Sequence, residues 1–253
     1  MRRLAVTLAG PATHRVSTEV SVTRGETLSR ARDSGKAAGV TGVVVVAHGG
    51  KSVSSEPTTA RQPAVLRMVP LARAIRRALR GSGAVVVRPR FQLRGWNGEQ
   101  ALPVRDLGGI LDGLGHRFGP VPIVLIGHSM GARAALRIAG HPAVAAVAGL
   151  APWLPSGEPV GQLTGRRVLL VHGNADGITR PQDTWAYAER ARSVAEVMAV
   201  EIRNGDHAML RRAGLWHSIA AEFACSIFGV PFREGRVAEV IGRTASDPRS
   251  AVL

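Results

Sequence analysis

Apolar residues fall along this chain in short runs of two kinds. Residues 43–47, 84–87, 123–126, 144–150, 168–171 and 197–202 are nearly continuous stretches of Val, Ile, Leu and Ala, and they predict strands buried on both faces. Between them, residues 65–80, 104–118, 132–139, 181–192 and 210–228 carry apolar positions three and four apart, which predicts helices. Gly108, Gly109 and Gly113 weaken the second of these. Strand and helix therefore alternate from 43 to 228, the pattern of an α/β fold with a mainly parallel central sheet and helices on both faces. Upstream, residues 4–9 form a short opening strand, and Val16, Thr18, Val20 and Val22 alternate with polar partners as in a half-buried strand. These two segments are expected to pair antiparallel at the start of the sheet. Residues 24–39 read as a polar loop or linker. The expected organisation is a single α/β domain over 1–228, with 1–42 as N-terminal strands and linker, and a loosely ordered tail over 229–253 with at most a short helix.

Composition narrows the picture. A chain of 253 residues with 45% hydrophobic residues suits one large α/β domain. Its formal charge of +15 would ordinarily point to an anionic partner. Only Lys36 and Lys51 are lysines, however, and the arginines are spread along helices, as in Arg73-Arg76-Arg77-Arg80 and Arg133-Arg137. No aromatic-interleaved basic stretch accompanies them, so specific nucleic-acid binding is not expected, and the bias matches a GC-rich bacterial coding sequence. The lone Cys225 has no partner for an internal disulfide and falls in an apolar helix as a small buried residue. Met1-Arg2-Arg3 precedes too short an apolar run for a signal peptide, and no run approaches the roughly 20 apolar residues of a membrane span. A soluble, cytoplasmic protein is expected.

Gly127-His128-Ser129-Met130-Gly131 follows directly on the strand at 123–126 and opens a helix. A serine hydroxyl is a weak nucleophile unless it stands clear of the sheet beside a base, and a tight strand-to-helix turn puts it there. The pentapeptide is weak evidence alone in a Gly-rich chain. Its context is stronger, because His48-Gly49-Gly50, Asp176 and His207 also follow strands, and ligands of parallel sheets bind at the carboxyl ends of the strands.

With these residues in place, the segment from 43 to 228 resembles an α/β-hydrolase in its chain order of nucleophile, acid and histidine. The resemblance implies Ser129 as nucleophile, Asp176 as acid and His207 as base. It also implies an oxyanion hole made by the backbone of Met130 and by Gly50, with Lys51 as the alternative second donor. Asp183, at or inside the next helix, is the main rival acid, and Asp206 reads as a turn residue beside His207. His128 and His172 read as structural; His217 lies within the last helix, and His14, His116 and His141 lack motif context. No metal-ligand spacing is present, and the implied mechanism needs no metal or cofactor.

Only about 15 residues separate the strand ending near Trp153 from the one starting near Val168, too few for the helical cap often inserted there. The site is expected to be open, resembling small uncapped esterases and dienelactone-hydrolase-like proteins, although the latter use Cys where this chain has Ser129. Residues 52–62 and 91–100 are then candidates to border it, with Trp96, Trp153 and Lys51 as substrate contacts; the two tryptophans serve equally well as core anchors. Lys51 and Arg94 suggest attraction of an acidic substrate group. The expected function is hydrolysis of a small-molecule carboxylic ester, against an acyltransferase using the same serine or a non-catalytic binding protein.

Overall fold

The computed structural model describes residues 4–9, 15–21, 39–232 and 251–252. Among the described residues nine strands form one sheet: β1 (Leu4–Ala9), β2 (Arg15–Ser21), β3 (Gly42–Ala47), β4 (Ala84–Arg90), β5 (Ile123–His128), β6 (Val144–Leu150), β7 (Arg167–Gly173), β8 (Glu196–Ile202) and β9 (Ala251–Val252). Their order is β1-β2-β4-β3-β5-β6-β7-β8-β9. β1 and β2 pair antiparallel, β2 pairs antiparallel with β4, and every junction from β4 to β9 is parallel. The expected parallel sheet with an antiparallel start is therefore present. Most of the linker expected at 24–39, and the tail apart from residues 229–232 and 251–252, lie outside the described residues.

Five helices lie among the described residues: α1 (Pro63–Ala78), α2 (Leu102–Phe118), α3 (Met130–Arg137), α4 (Pro181–Ala191) and α5 (Ala213–Ile227). The continuous apolar strands divide their side chains by parity, with one break at the start of β6, where the register with β5 shifts between Val144 and Ala146. Val43 and Val45 of β3 and Ile123 and Leu125 of β5 join Leu107, Leu111, Ala134 and Tyr187 beneath α2, α3 and α4. Val44 and Val46, with Val124 and Ile126, face the opposite way and pack against Met68, Leu71 and Ile75 of α1 and Trp216, Ile219 and Phe223 of α5. Each strand thus serves two cores, which is why it reads as an unbroken hydrophobic run.

Two boundaries, the end of β4 and the start of α5, differ from expectation by three residues, and the helix expected at 104–118 is present. β4 continues to Arg90 past Pro89, opposite Thr18 and Ser17 of β2. α2 is continuous through its glycines, because Leu107, Ile110, Leu111, Leu114 and Phe118 bury a full face and packing outweighs propensity. α5 starts at Ala213 rather than near 210. The Asp206 carboxylate accepts the N–H groups of Leu210 and Arg211 (2.9 and 2.8 Å), and Arg212 has φ +57°, so the chain is held in a turn up to that point.

Residues 151–166, between β6 and β7, contain one short 3-10 turn (Gly161–Leu163) and no cap. No described helix is long and apolar enough to cross a membrane. The chain switches direction at β3: it leaves β3 for β4 on one side and returns to β5 on the other. The loops after β3 and β5 consequently diverge from neighbouring strands and open a crevice at their carboxyl ends.

One buried charge on α5 has a measurable consequence. Glu222 is buried, one of its carboxylate oxygens has no hydrogen-bond partner among the described residues, and burial pushes its carboxyl up to about 7 from 4.5. A carboxyl raised in the folded state contributes stability that is complete below pH 4.5 and is lost as pH rises through 7. Denaturant titrations should therefore show the native protein losing about 2–3 kcal/mol between pH 5 and pH 8 through this group. Glu222→Gln should flatten that slope and be the more stable protein at pH 8.

Candidate active site

Ser129 occupies the junction of β5 and α3 with φ +53° and ψ −118°, a conformation that an L-residue adopts only when its surroundings impose it. Those surroundings are backbone. A Cβ on Gly127 would overlap the Gly131 carbonyl oxygen, and one on Gly131 would overlap the carbonyl oxygen of His48. The Ser129 N–H is tied to the Leu150 carbonyl (3.0 Å), and its own carbonyl accepts from Ala132, Arg133 and Trp153. The turn is thus clamped between the exits of β3 and β6, and the side chain projects from it.

His207 meets that side chain. Its Nδ1–H donates to Asp176 Oδ2 (2.8 Å), leaving Nε2 to accept from the Ser129 hydroxyl (3.1 Å). The three residues come from the ends of β5, β7 and β8 and converge as their sequence positions suggested. Asp183 lies in the first turn of α4, and Asp206 is occupied in the turn before α5, so neither rival carboxylate takes this position.

Asp176 is held from every side. Its Oδ1 accepts the N–H groups of Ile178 (2.8 Å) and Thr179 (2.9 Å). Besides His207, its Oδ2 accepts the Thr179 hydroxyl (2.8 Å) and His172 Nε2–H (2.9 Å). Burial alone would raise its carboxyl, but the hydrogen bonds from His172, His207, Thr179 and Ile178 outweigh it and hold the group well below the usual carboxylate range. The carboxylate stays charged and fixed beside the imidazole.

Two histidines that read as structural turn out to support this arrangement. His172 is fully buried, and its Nδ1 accepts from the Thr184 hydroxyl (2.7 Å), which orients Nε2–H toward Asp176. His128 is pushed down to about 3, chiefly by burial and then by the neighbouring His207, and is neutral; its Nε2–H donates to the His207 carbonyl (2.8 Å). Thr179 and His172 were missed as site residues by sequence reasoning. The available signal was their spacing of three and four residues around Asp176 after a strand, which a local motif can carry.

The loop after β3 adjoins Ser129. His48, lowered to about 4 chiefly by burial, is neutral: Nδ1–H donates to the Gly49 carbonyl (2.7 Å) and Nε2 accepts the Phe91 N–H (3.1 Å). It ties the loop to the exit of β4. A Cβ on Gly50 would overlap the Met130 side chain and the Arg94 carbonyl, so the two expected oxyanion residues are packed together. Met130 is the first residue of α3, where an N–H has no intrahelical partner. The Lys51 N–H is consumed by the Arg94 carbonyl (2.8 Å), which favours Gly50 over Lys51 as the second donor.

The expected substrate contacts separate. Trp96 is 3% exposed and does not border the opening: the Arg133 guanidinium covers its ring at 3.9 Å and also lies 4.5 Å from the Trp153 ring, and the two rings meet edge to face. Arg133 and Arg137 converge on buried Glu158 and pin residues 151–166 against α3. Removing one partner of such a buried pair costs about 3–5 kcal/mol, which makes this a structural lock. Trp153 is half-buried against the same arginine. Lys51 does line an open cavity of ≈ 290 Å³, with Gly49, Gly50, Gln62, Pro63, Ala64, Arg67 and Arg94. Val53, Leu66, Ile178 and Leu210 are exposed apolar side chains, on α1 and on the loops that carry the site residues.

Scans of protein-family models and of curated proteins find no match to this chain. Among solved structures, the chain is similar to a lidless α/β serine hydrolase from Xanthomonas campestris, with a TM-score of 0.61 and 23% identity over 92% of this chain and 97% of that one. Est1E from Butyrivibrio proteoclasticus gives a TM-score of 0.62 and 12% identity over 89% and 99%. An esterase domain from Rhodothermus marinus gives 0.60 and 19% over 90% and 99%. At these identities the likeness is one of fold: the chain has the α/β-hydrolase fold in a small form without a cap.

His48→Ala removes both the acceptor of the Phe91 N–H and the donor to Gly49. It should lower stability by about 1–3 kcal/mol. Hydrogen–deuterium exchange should quicken locally at Gly49, Gly50 and Phe91 while β5 and β6 keep their protection. Unchanged exchange at these three amides would contradict the assigned role.

Proposed function

We propose that the protein is a cofactor-independent serine hydrolase that cleaves carboxylic esters through an acyl-enzyme on Ser129. The single observation that carries this reading is the hydrogen-bonded chain from the Ser129 hydroxyl through His207 to Asp176, on a strained turn. A serine held only by packing would have no use for a buried, multiply bonded carboxylate behind a histidine.

In the first half-reaction the Ser129 oxygen attacks the ester carbonyl as His207 Nε2 takes its proton. Asp176 stabilises the resulting imidazolium and fixes its Nδ1–H. Negative charge on the carbonyl oxygen is met by the N–H groups of Met130 and Gly50. The C–O bond to the alcohol breaks, and Nε2–H delivers the proton to the leaving oxygen. Water then attacks the acyl carbon with His207 again as base, the bond to Ser129 breaks, and the free acid leaves. His172 and Thr179 do not touch the reacting atoms; they position Asp176. The esterases among the structural neighbours lend support to ester chemistry without naming this chain's substrate.

A fluorophosphonate probe followed by intact mass tests the reading. Native protein should label stoichiometrically, Ser129→Ala should not label, and His207→Ala should label at least about 10³-fold more slowly, in keeping with the loss of a triad base. Absence of labelling in folded native protein would remove the hydrolase reading.

A further inference from the structure

The cavity beside Gly49 and Gly50 has a wall of one sign. Lys51, Arg67 and Arg94 line it, and no acidic residue does. Arg94 is partly neutralised, because its guanidinium is paired with Glu56. Arg67 is different. It is half-buried on α1, its Nε is buried without a hydrogen-bond partner, and it forms no ion pair within the described residues; the Asp206 carboxylate influences it from a distance. A guanidinium loses part of its hydration in such a position, and the distant Asp206 charge repays it only in part. An anion entering the cavity would repay the rest.

The wall is also rigid. The loops carrying Lys51 and Arg94 are zipped by backbone bonds from Lys51 to Arg94, Trp96 to Lys51, Thr58 to Gln92 and Arg94 to Glu56 (2.8–3.0 Å). Arg67 is carried by a helix packed on the sheet. The backbone that carries the cationic groups is therefore set in place before any ligand arrives. The cavity volume of ≈ 290 Å³ lies at the small end of ligand sites, about 300–1,000 Å³, and suits a short group.

We infer that the esters cleaved at Ser129 carry a carboxylate, received by the Arg67 guanidinium with Lys51 beside it. The inference rests on the hydrolase reading and adds to it the class of substrate. It also moves the recognition of an acidic group from Arg94, which Glu56 engages, to Arg67, whose sequence context gives no sign of it. A planar guanidinium matches a carboxylate with two parallel N–H donors, which a lysine in its place cannot reproduce.

The test compares pairs of esters at low ionic strength. 4-Nitrophenyl hydrogen glutarate against 4-nitrophenyl pentanoate places the carboxylate on the acyl side; 3-butyryloxybenzoate against phenyl butyrate places it on the alcohol side. In one of the pairs the charged ester should be favoured about tenfold or more in kcat/KM, as expected for one charge-assisted pair, and the preference should shrink with added salt. Arg67→Met should collapse that ratio to within about twofold, mainly through KM, and Arg67→Lys should restore only part of it. Arg77→Met, which removes an exposed charge on the same helix away from the cavity, should keep the ratio. Equal turnover within both pairs, or a ratio unmoved by Arg67→Met, overturns the carboxylate inference and leaves the hydrolase reading intact. No turnover of any ester, together with no labelling of Ser129, overturns the hydrolase reading and this inference with it.

Discussion

The site depends on the close approach of two backbones. Gly131, at the start of α3, lies against the carbonyl groups of Ala47 and His48 where β3 ends, and Gly127 lies against the Gly131 carbonyl in turn. There is no space at either place for a side chain. This contact holds Ser129 at positive φ, a strain of about 1–3 kcal/mol that the surrounding sheet sustains. It also fixes the distance between the serine turn and the loop bearing Gly49 and Gly50, so that Gly50 packs against Met130 beside the serine. The alignment of β3 beside β5 supplies this geometry, and neither loop would possess it alone.

Behind the serine lies a second constraint, that a charged carboxylate be buried without loss. Asp176 meets it with five donors supplied by His172, His207, Thr179 and Ile178. Three buried histidines stay in defined tautomers because each has a partner that dictates which nitrogen carries the proton. Thr184 does this for His172, the His207 carbonyl for His128, and Phe91 for His48. The imidazole of His207 is then the ring positioned between a fixed anion and a hydroxyl.

Most of the fold was legible because both faces of each central strand are apolar, and such runs separated by helical periodicity admit few arrangements. The convergence of Ser129, Asp176 and His207 was legible for a related reason: each follows a strand, and parallel strands bring their carboxyl ends together. Helix ends were less so, since the start of α5 is set by an Asp206 side chain bonding two amides, which periodicity does not register. The positions of Trp96 and Arg67 were hidden for a different reason. Trp96 is covered by Arg133, an arginine distant in sequence, and Arg67 borders the cavity only because α1 packs beside the loop after β3. Both facts belong to the assembled structure, and a loop position by itself does not distinguish a residue that borders a cleft from one that seals it.

The central claim is that Ser129 forms a covalent acyl intermediate. It is tested most directly by mixing native protein with a 4-nitrophenyl ester, quenching in acid within the first turnovers and reading the intact mass and the peptide that carries any adduct. The account predicts a mass gain equal to the acyl group, located on Ser129, together with a burst of nitrophenol. Nitrophenol released without an adduct at any time, or with an adduct on another residue and undiminished in Ser129→Ala, would contradict it.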